Sequence, residues 1–329
     1  MTTTRTDALP AGSSVAPVPT ARRCRGGAVD RLEAPTLGIV MLVYGGFFLV
    51  TFFFHDLPLW VAAVLGTVLL SLHGSLQHEI IHGHPTPYRR LNNMLATPPL
   101  ALWIPYELYR ESHLRHHRHS GRYLTDPVRD PESFYVEPSV FALLGGLRRA
   151  MYRAHRTLAG RMLLGPAFSL CAFWSSESGK VWAGHRHHIS IWVRHGLKVS
   201  LVLTWTVGVC RIPLLVYLAL MVYPSVSLTQ LRSFAEHRYD VDPRLRTVVV
   251  EAGRLLSFIF LNNNLHIVHH VHPRLSWYEL PDTWRQMRAP LVNSGLVVQG
   301  GYREIVRRHL WKPVIAVEHP RLQGPARPV

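Results

Sequence analysis

The chain has 329 residues, of which 48% are apolar and only 17% charged, below the roughly 25% usual in soluble proteins. This argues against intrinsic disorder and for a membrane protein, and a mean hydropathy of only +0.08 requires the apolar residues to be gathered into segments. The formal charge of +16 fits nucleic acid, an anionic membrane surface or an acidic partner, whereas Cys24, Cys171 and Cys210 form no C-x-x-C pair, which excludes zinc ribbons, rubredoxin-type centres, iron–sulfur clusters and a disulfide framework.

Residues 1–35 are rich in Thr, Ala, Pro, Gly and Arg without any apolar block, and read as a flexible tail. Lacking an apolar core after the basic start, they are not expected to form a secretory signal. Residues 36–329 read as a single membrane domain. Its first span is the apolar run 36–54, about 28 Å long as a helix and close to the thickness of a bilayer. After the break His55-Asp56-Leu57-Pro58 a second span, 59–76, contains no Lys, Arg, Asp or Glu, so the two form a transmembrane hairpin. The stretches Met94–Tyr106 and Leu255–Leu265 are too short to cross and are expected at the interface or packed against the bundle. The pattern of Val140–Trp174 assigns it to no element.

A third span, 191–209, and a fourth, 212–228, are divided at Cys210-Arg211-Ile212-Pro213, where proline disfavours helix continuation, giving a second hairpin. Arg194 and Lys198 fall in the first turns of the third span, where they can snorkel to headgroups. Orientation follows from Arg5, Arg22, Arg23, Arg25 and Arg31 in the tail, against no Lys or Arg in the 54–58 turn and only Arg211 in the second. Tail, central loop and C-terminal region are then all expected on the cytoplasmic side, probing anionic lipid, and nucleic acid is not needed to explain the charge.

The 21 histidines are concentrated by this topology. His78 and His82 follow the second span, and His113, His116 and His117 lie in the central loop. His237 follows the fourth span, with His266, His269 and His270 beyond it. Residues at i, i+3 and i+4 share a helical face, so H-x-x-x-H and H-x-x-H-H each present imidazoles toward one point. Nine imidazoles exceed the needs of one ion and suffice for two. His84, His119 and His272 lie off these faces, and His185, His187 and His188 read as a basic flank that meets headgroups. A competing match is His78-Glu79-Ile80-Ile81-His82, the H-E-x-x-H signature of a membrane zinc metalloprotease with Glu79 as general base, but it leaves seven of the histidines without a role. A soluble carboxylate di-iron fold would need a second E-x-x-H helix.

The three boxes resemble those of the membrane fatty acid desaturase and hydroxylase superfamily, with H-x(3,4)-H, H-x(2,3)-H-H and H/Q-x(2,3)-H-H patterns. The runs at 78–86, 124–133 and 269–278 are similar to bacterial fatty acid desaturases, and the likeness covers residues 59–284. It implies an all-α integral membrane protein in which four transmembrane helices in two hairpins carry a cytosolic helical cap, in a bacterial inner membrane. The implied metal ligands are His78, His82, His113, His116, His117, His237, His266, His269 and His270. This is the number found in acyl-CoA desaturases, although those usually place an asparagine where this chain has Ser233.

The resemblance further implies two iron ions, O2 as co-substrate, and insertion of a C=C bond into a fatty acyl chain of a lipid or acyl thioester. No fused redox module is expected, so electrons would come from a separate ferredoxin, rubredoxin or cytochrome b5-type protein and its reductase. Arg115, Arg118, Arg122 and Arg129 offer a basic face for an anionic headgroup or an acidic ferredoxin. Glu79, Asp126, Asp130, Glu132 and Glu236 are candidates to orient the imidazoles from outside. The alternatives are a di-iron hydroxylase or ketolase acting on an alkyl, lipid or carotenoid substrate, which shares the first hydrogen abstraction, and a metal transport or storage protein.

Overall fold

The structure, a computed structural model, describes residues 32–322. Most of the tail, with Cys24 and the arginines used for orientation, lies outside the described residues.

The described chain is mostly helical. Helix α1 (Ala34–Phe52) and helix α2 (Leu59–Ile81) are the two apolar runs flanking the early break, and Pro58 stands at the N-cap of α2. They pack along one another through Val43, Phe47 and Val50 on one side and Leu69, Leu72 and Leu76 on the other. The second helix continues past the predicted end at 76, because the polar residues Gln77, His78 and Glu79 are buried. The span thus delivers the first histidine box on its own last turn.

Short helices α3 (Arg89–Ala96) and α4 (Tyr106–Arg118) follow. Between them Leu100 is buried while Leu102 takes a positive φ, so the 94–106 stretch is a packed turn rather than an interfacial helix. The unassigned block resolves into α5 (Pro138–Leu143), α6 (Gly146–Ala154) and α7 (Leu158–Trp182), 25 residues long. Thr157 caps α7 by accepting from the Gly160 N–H at 3.0 Å.

Helix α8 (Arg186–Leu203) runs into a π-helical turn, Thr204–Val209. Then α9 (Leu214–Tyr217), a second π-helical segment (Leu218–Val222) and α10 (Tyr223–Ser233) follow one another without a break. Among the described residues three helices are long and apolar enough to cross a membrane: 34–52, 59–81 and 214–233. The predicted third span, 191–209, is not one of them. Its α-helix starts earlier, at Arg186, and ends at Leu203, so Arg186 joins Arg194 and Lys198 within 18 residues and lowers its apolar character further. Lys198 does not snorkel freely; it lies 3.4 Å from Glu107. The fourth span reaches Ser233 rather than 228.

Gly66 of α2 faces Met221 so closely that a Cβ there would fall 2.7 Å from its Cγ and Sδ, which lets the two spans approach. Helix α7 is tied to α10, with Ser227 donating to the Met162 carbonyl (2.7 Å) and Gln230 to Ser169 (2.9 Å).

Beyond the spans come α11 (Arg254–Ile259), α12 (His266–Val271), α13 (Leu280–Asn293) and α14 (Tyr302–His309). The 255–265 stretch packs inward through Ile259, Phe260, Leu261 and Leu265. The all-α expectation is departed from by a parallel pair of two-residue strands, β1 (Val249–Val250) and β2 (Val298–Gln299). Ile267 and Val268 of α12 pack with Leu280, Trp284 and Met287 of α13, which anchors the last histidine box.

Candidate metal centre

Three helix ends and one bridge residue converge. His78 lies on the last turns of α2 and His82 at its C-cap. Helix α4 brings His113, His116 and His117, and α12 brings His266, His269 and His270. His237 is held in the backbone by an antiparallel bridge to Thr247. All nine predicted residues come together, in two adjoining sets.

His78, His82, His113, His117 and His269 form one set and His116, His237, His266 and His270 the other, with the candidate ligand atoms in each within 4.8 Å of one another. Helical spacing explains the division. The i, i+4 pairs 78/82, 113/117 and 266/270 each serve one set, whereas the i+3 residues, His116 and His269, are turned about the helix axis and serve the other. Helices α4 and α12 therefore each contribute to both sets.

In the larger set the Nε2–Nε2 separations are 3.1 Å for 82/113, 3.0 Å for 113/117 and 2.9 Å for 117/269. In the smaller they are 3.3 Å for 116/270, 3.1 Å for 266/270 and 3.0 Å for 237/266. Several of these rings have Nδ1 engaged. The His116 Nδ1–H donates to Asp130 (2.7 Å), His113 to Glu132 (2.9 Å) and His266 to the Asn263 carbonyl oxygen (3.1 Å). In their neutral form these rings aim bare Nε2 lone pairs at one another, which no hydrogen bond satisfies and a cation does. With a metal–nitrogen bond of about 2.1 Å, adjacent ligands at right angles stand about 3.0 Å apart. The donors present therefore fit metal ions.

Of the predicted outer carboxylates, Asp130 and Glu132 take that role, and Asp130 is itself fixed by the Thr125 and Glu132 N–H groups at 2.8 and 3.0 Å. Glu236 pairs with Arg232 and stands 3.6 Å from His266 Nδ1. Asp126 does not serve; it caps a turn by accepting from the Val128 and Arg129 N–H groups. Nor does Glu79, which accepts from the Trp277 N–H at 2.8 Å and neighbours His84. A general base in the protease reading must face the metal, and this carboxylate is held elsewhere, so that reading fails.

Two outer residues were not foreseen. Asn263 also approaches His78 at 3.3 Å, and Ser120 lies 2.8 Å from His270 Nδ1. The signal for the first is the Asn262-Asn263-Asn264 run, where Leu261 and Asn262 adopt positive φ. Ser233 bonds the Gln230 carbonyl at 3.3 Å.

Three of the remaining histidines are tied to carboxylates. His84 donates to Glu33 at 2.7 Å, and Glu33 also accepts from Ser276 at 2.7 Å. The 185–188 run is not merely a headgroup flank: His187 reaches Glu111 at 3.0 Å and His188 the buried Glu177 at 2.7 Å. Of the basic face, Arg129 stacks on Tyr123 at 4.0 Å and Arg115 lines a cavity.

Burial, then the neighbouring His113, pushes His117 down to about 2, and burial with His116 pushes His237 down to about 3. Burial likewise holds His82, His266, His269 and His270 well below the usual histidine range. Such rings stay neutral when folded, so the metal-free fold loses stability as pH drops below about 6.5, where the unfolded chain takes up protons. His116 has the opposite sign. Burial would lower it, but Glu132 and the hydrogen bond to Asp130 raise it to about 9. Its charge stabilises the metal-free fold fully below about 6.5 and that contribution is lost as pH rises through about 9.

Metal loading near pH 7.5 is therefore expected to release about one proton per chain from His116. The checks are buffer-dependent binding enthalpies of the native protein and of Asp130→Asn, which should release less and bind metal about 10–100-fold more weakly. Equal release and affinity in the two proteins would refute this role of Asp130.

A cavity of about 980 Å³ adjoins the centre, its wall running from Glu132 and His237 to Leu70, Gly74, Val226 and Thr229 of the spans. The chain matches the family model described as "Fatty acid desaturase" over residues 54–301. A comparison with curated proteins gives no significant match.

Proposed function

Because the chain belongs to the fatty acid desaturase family, we propose that it is an O2-dependent di-iron oxidoreductase of the membrane that introduces a C=C bond into a fatty acyl chain of a lipid or acyl thioester. The carrying observation is one cavity walled by the spans that reaches the smaller imidazole set at His237 and, beside it, Glu132, the partner of His113 in the larger set.

In this reading the nine histidines hold two irons, five imidazoles on one and four on the other. Bound iron supplies, with O2 and two electrons from a separate protein, the oxidising power to remove two hydrogens from adjacent methylenes. The chain's residues do the rest. Asp130, Glu132 and Asn263 fix the tautomers of His116, His113 and His266. Along the cavity Ser225 and Thr229 donate to helix carbonyls at 2.7 and 3.1 Å, so these hydroxyls are spent within the helix and the wall suits methylenes. The single domain from residue 36 onward sits with its helices in the bilayer and its histidines on the cytosolic side. The electron donor is a ferredoxin, rubredoxin or cytochrome b5-type protein.

The test is mass spectrometry of total lipids and pigments from cells expressing the protein with a ferredoxin and its reductase, against a His116→Ala, His117→Ala control. A product lighter by two hydrogens, absent from the control, is expected. A product heavier by one oxygen would instead make the protein a hydroxylase or ketolase, and no change in either would refute the oxidoreductase reading for lipids and pigments.

A further inference from the structure

Where α6 gives way to α7, the chain buries a group of basic side chains without an acidic partner. Arg156 is 1% exposed and Arg161 0%, and His155 beside them is also buried. Among the described residues no carboxylate approaches either guanidinium; the groups acting on them are Tyr135, Tyr152 and each other.

Their internal bonds are few. Arg156 donates through Nη2 to the Phe134 carbonyl and through Nη1 to His155 Nδ1 at 3.3 Å. Accepting at Nδ1 places the His155 proton on Nε2. Arg161 donates through Nε to the His155 carbonyl at 3.3 Å, and its Cζ lies 3.7 Å over the Phe134 ring. Left without a partner are Arg156 Nε, His155 Nε2 and both terminal nitrogens of Arg161. All four are donors, and the two guanidiniums keep their charge at any working pH. Buried charge is costly unless paired, so a donor-only group of this kind lacks an anion.

The place of the group says which anion. His155, Arg156 and Phe134 line the same cavity that reaches His237 and the spans. We propose that His155 and Arg156, with the charge of Arg161 behind Phe134, form a subsite for the carboxylate or phosphate head of the amphiphile whose chain fills that cavity. This rests on the acyl-chain reading above. One end of the substrate would then be held by charge, fixing how far along the chain the methylenes at the histidines lie.

The experiment is equilibrium binding of radiolabelled stearate, stearyl alcohol and stearoyl-lysophosphatidate to the purified full chain in detergent, with Arg156→Met and Arg156→Lys beside it. One of the anions is expected to bind native protein at least about tenfold tighter than the alcohol, a preference lost in Arg156→Met and largely kept in Arg156→Lys. That anion should also raise the unfolding temperature of the native protein and not that of Arg156→Met. Preference for stearate identifies a carboxylate head and preference for lysophosphatidate alone a phosphate head. Equal binding of all three to the native protein overturns the subsite but leaves the acyl cavity standing. If the alcohol too fails to bind, the acyl-chain reading itself falls. Should Arg156→Met not fold, the native preference and the Arg156→Lys variant still decide.

Discussion

His116→Ala is expected to reduce turnover by more than the roughly 100-fold that loss of an outer partner can cost, and, with each set holding one ion as proposed, to lower bound metal from two per chain toward one. The smaller set would keep only His237, His266 and His270, with the Asp130 carboxylate left facing a gap. His269→Ala should mirror it by thinning the larger set, although His269 and His116 lie on different helices. Metal analysis of each purified variant, alongside product yield, checks both. Native metal content and yield in His116→Ala would remove it from the centre.

Gly74→Phe is the second large effect expected. A Cβ at Gly74 would have as its near neighbour the Thr229 hydroxyl, 3.9 Å away, and both residues line the cavity. A phenyl group there would fill the space between α2 and α10, at a stability cost of about 1–3 kcal/mol. Long acyl chains should be converted about tenfold less well, by the loss of roughly 1.4 kcal/mol of binding, with product shifting to shorter chains and metal content unchanged. Lipid profiling together with metal analysis reads this, and an unaltered chain-length profile would show that the chain does not lie along α2.

The histidine boxes were legible because metal ligation imposes helical spacing that a sequence displays directly. His78/His82, His113/His117 and His266/His270 all keep it. That His116 and His269 turn away from the pairs on their own helices follows from the same spacing, but which set each joins was not legible, since it depends on how α4 and α12 are rotated against one another, and that is set by packing such as Ile267 and Val268 on α13. The first hairpin could be read because it is uniformly apolar. Helix α8 was misjudged at its start because a window of hydropathy ignores that Lys198 can be met by Glu107 and His188 by Glu177, contacts between residues 91 and 11 positions apart. Helix α7 has Pro166, Glu177 and Lys180 within its length, which hides its continuity from any local pattern. The buried arginines were invisible for the same reason: a sequence shows a charge but not the absence of its partner.

The sharing of α4 and α12 between both sets also orders events during synthesis. Until residues 266–270 have left the ribosome, the larger set holds four of its five imidazoles and the smaller only two of its four. A nascent or truncated chain can thus gather most of one site but cannot pair it with the other. The last histidine box acts as an interlock, so that any chemistry needing both sets waits until residues 266–270 have been made and can fold against the rest.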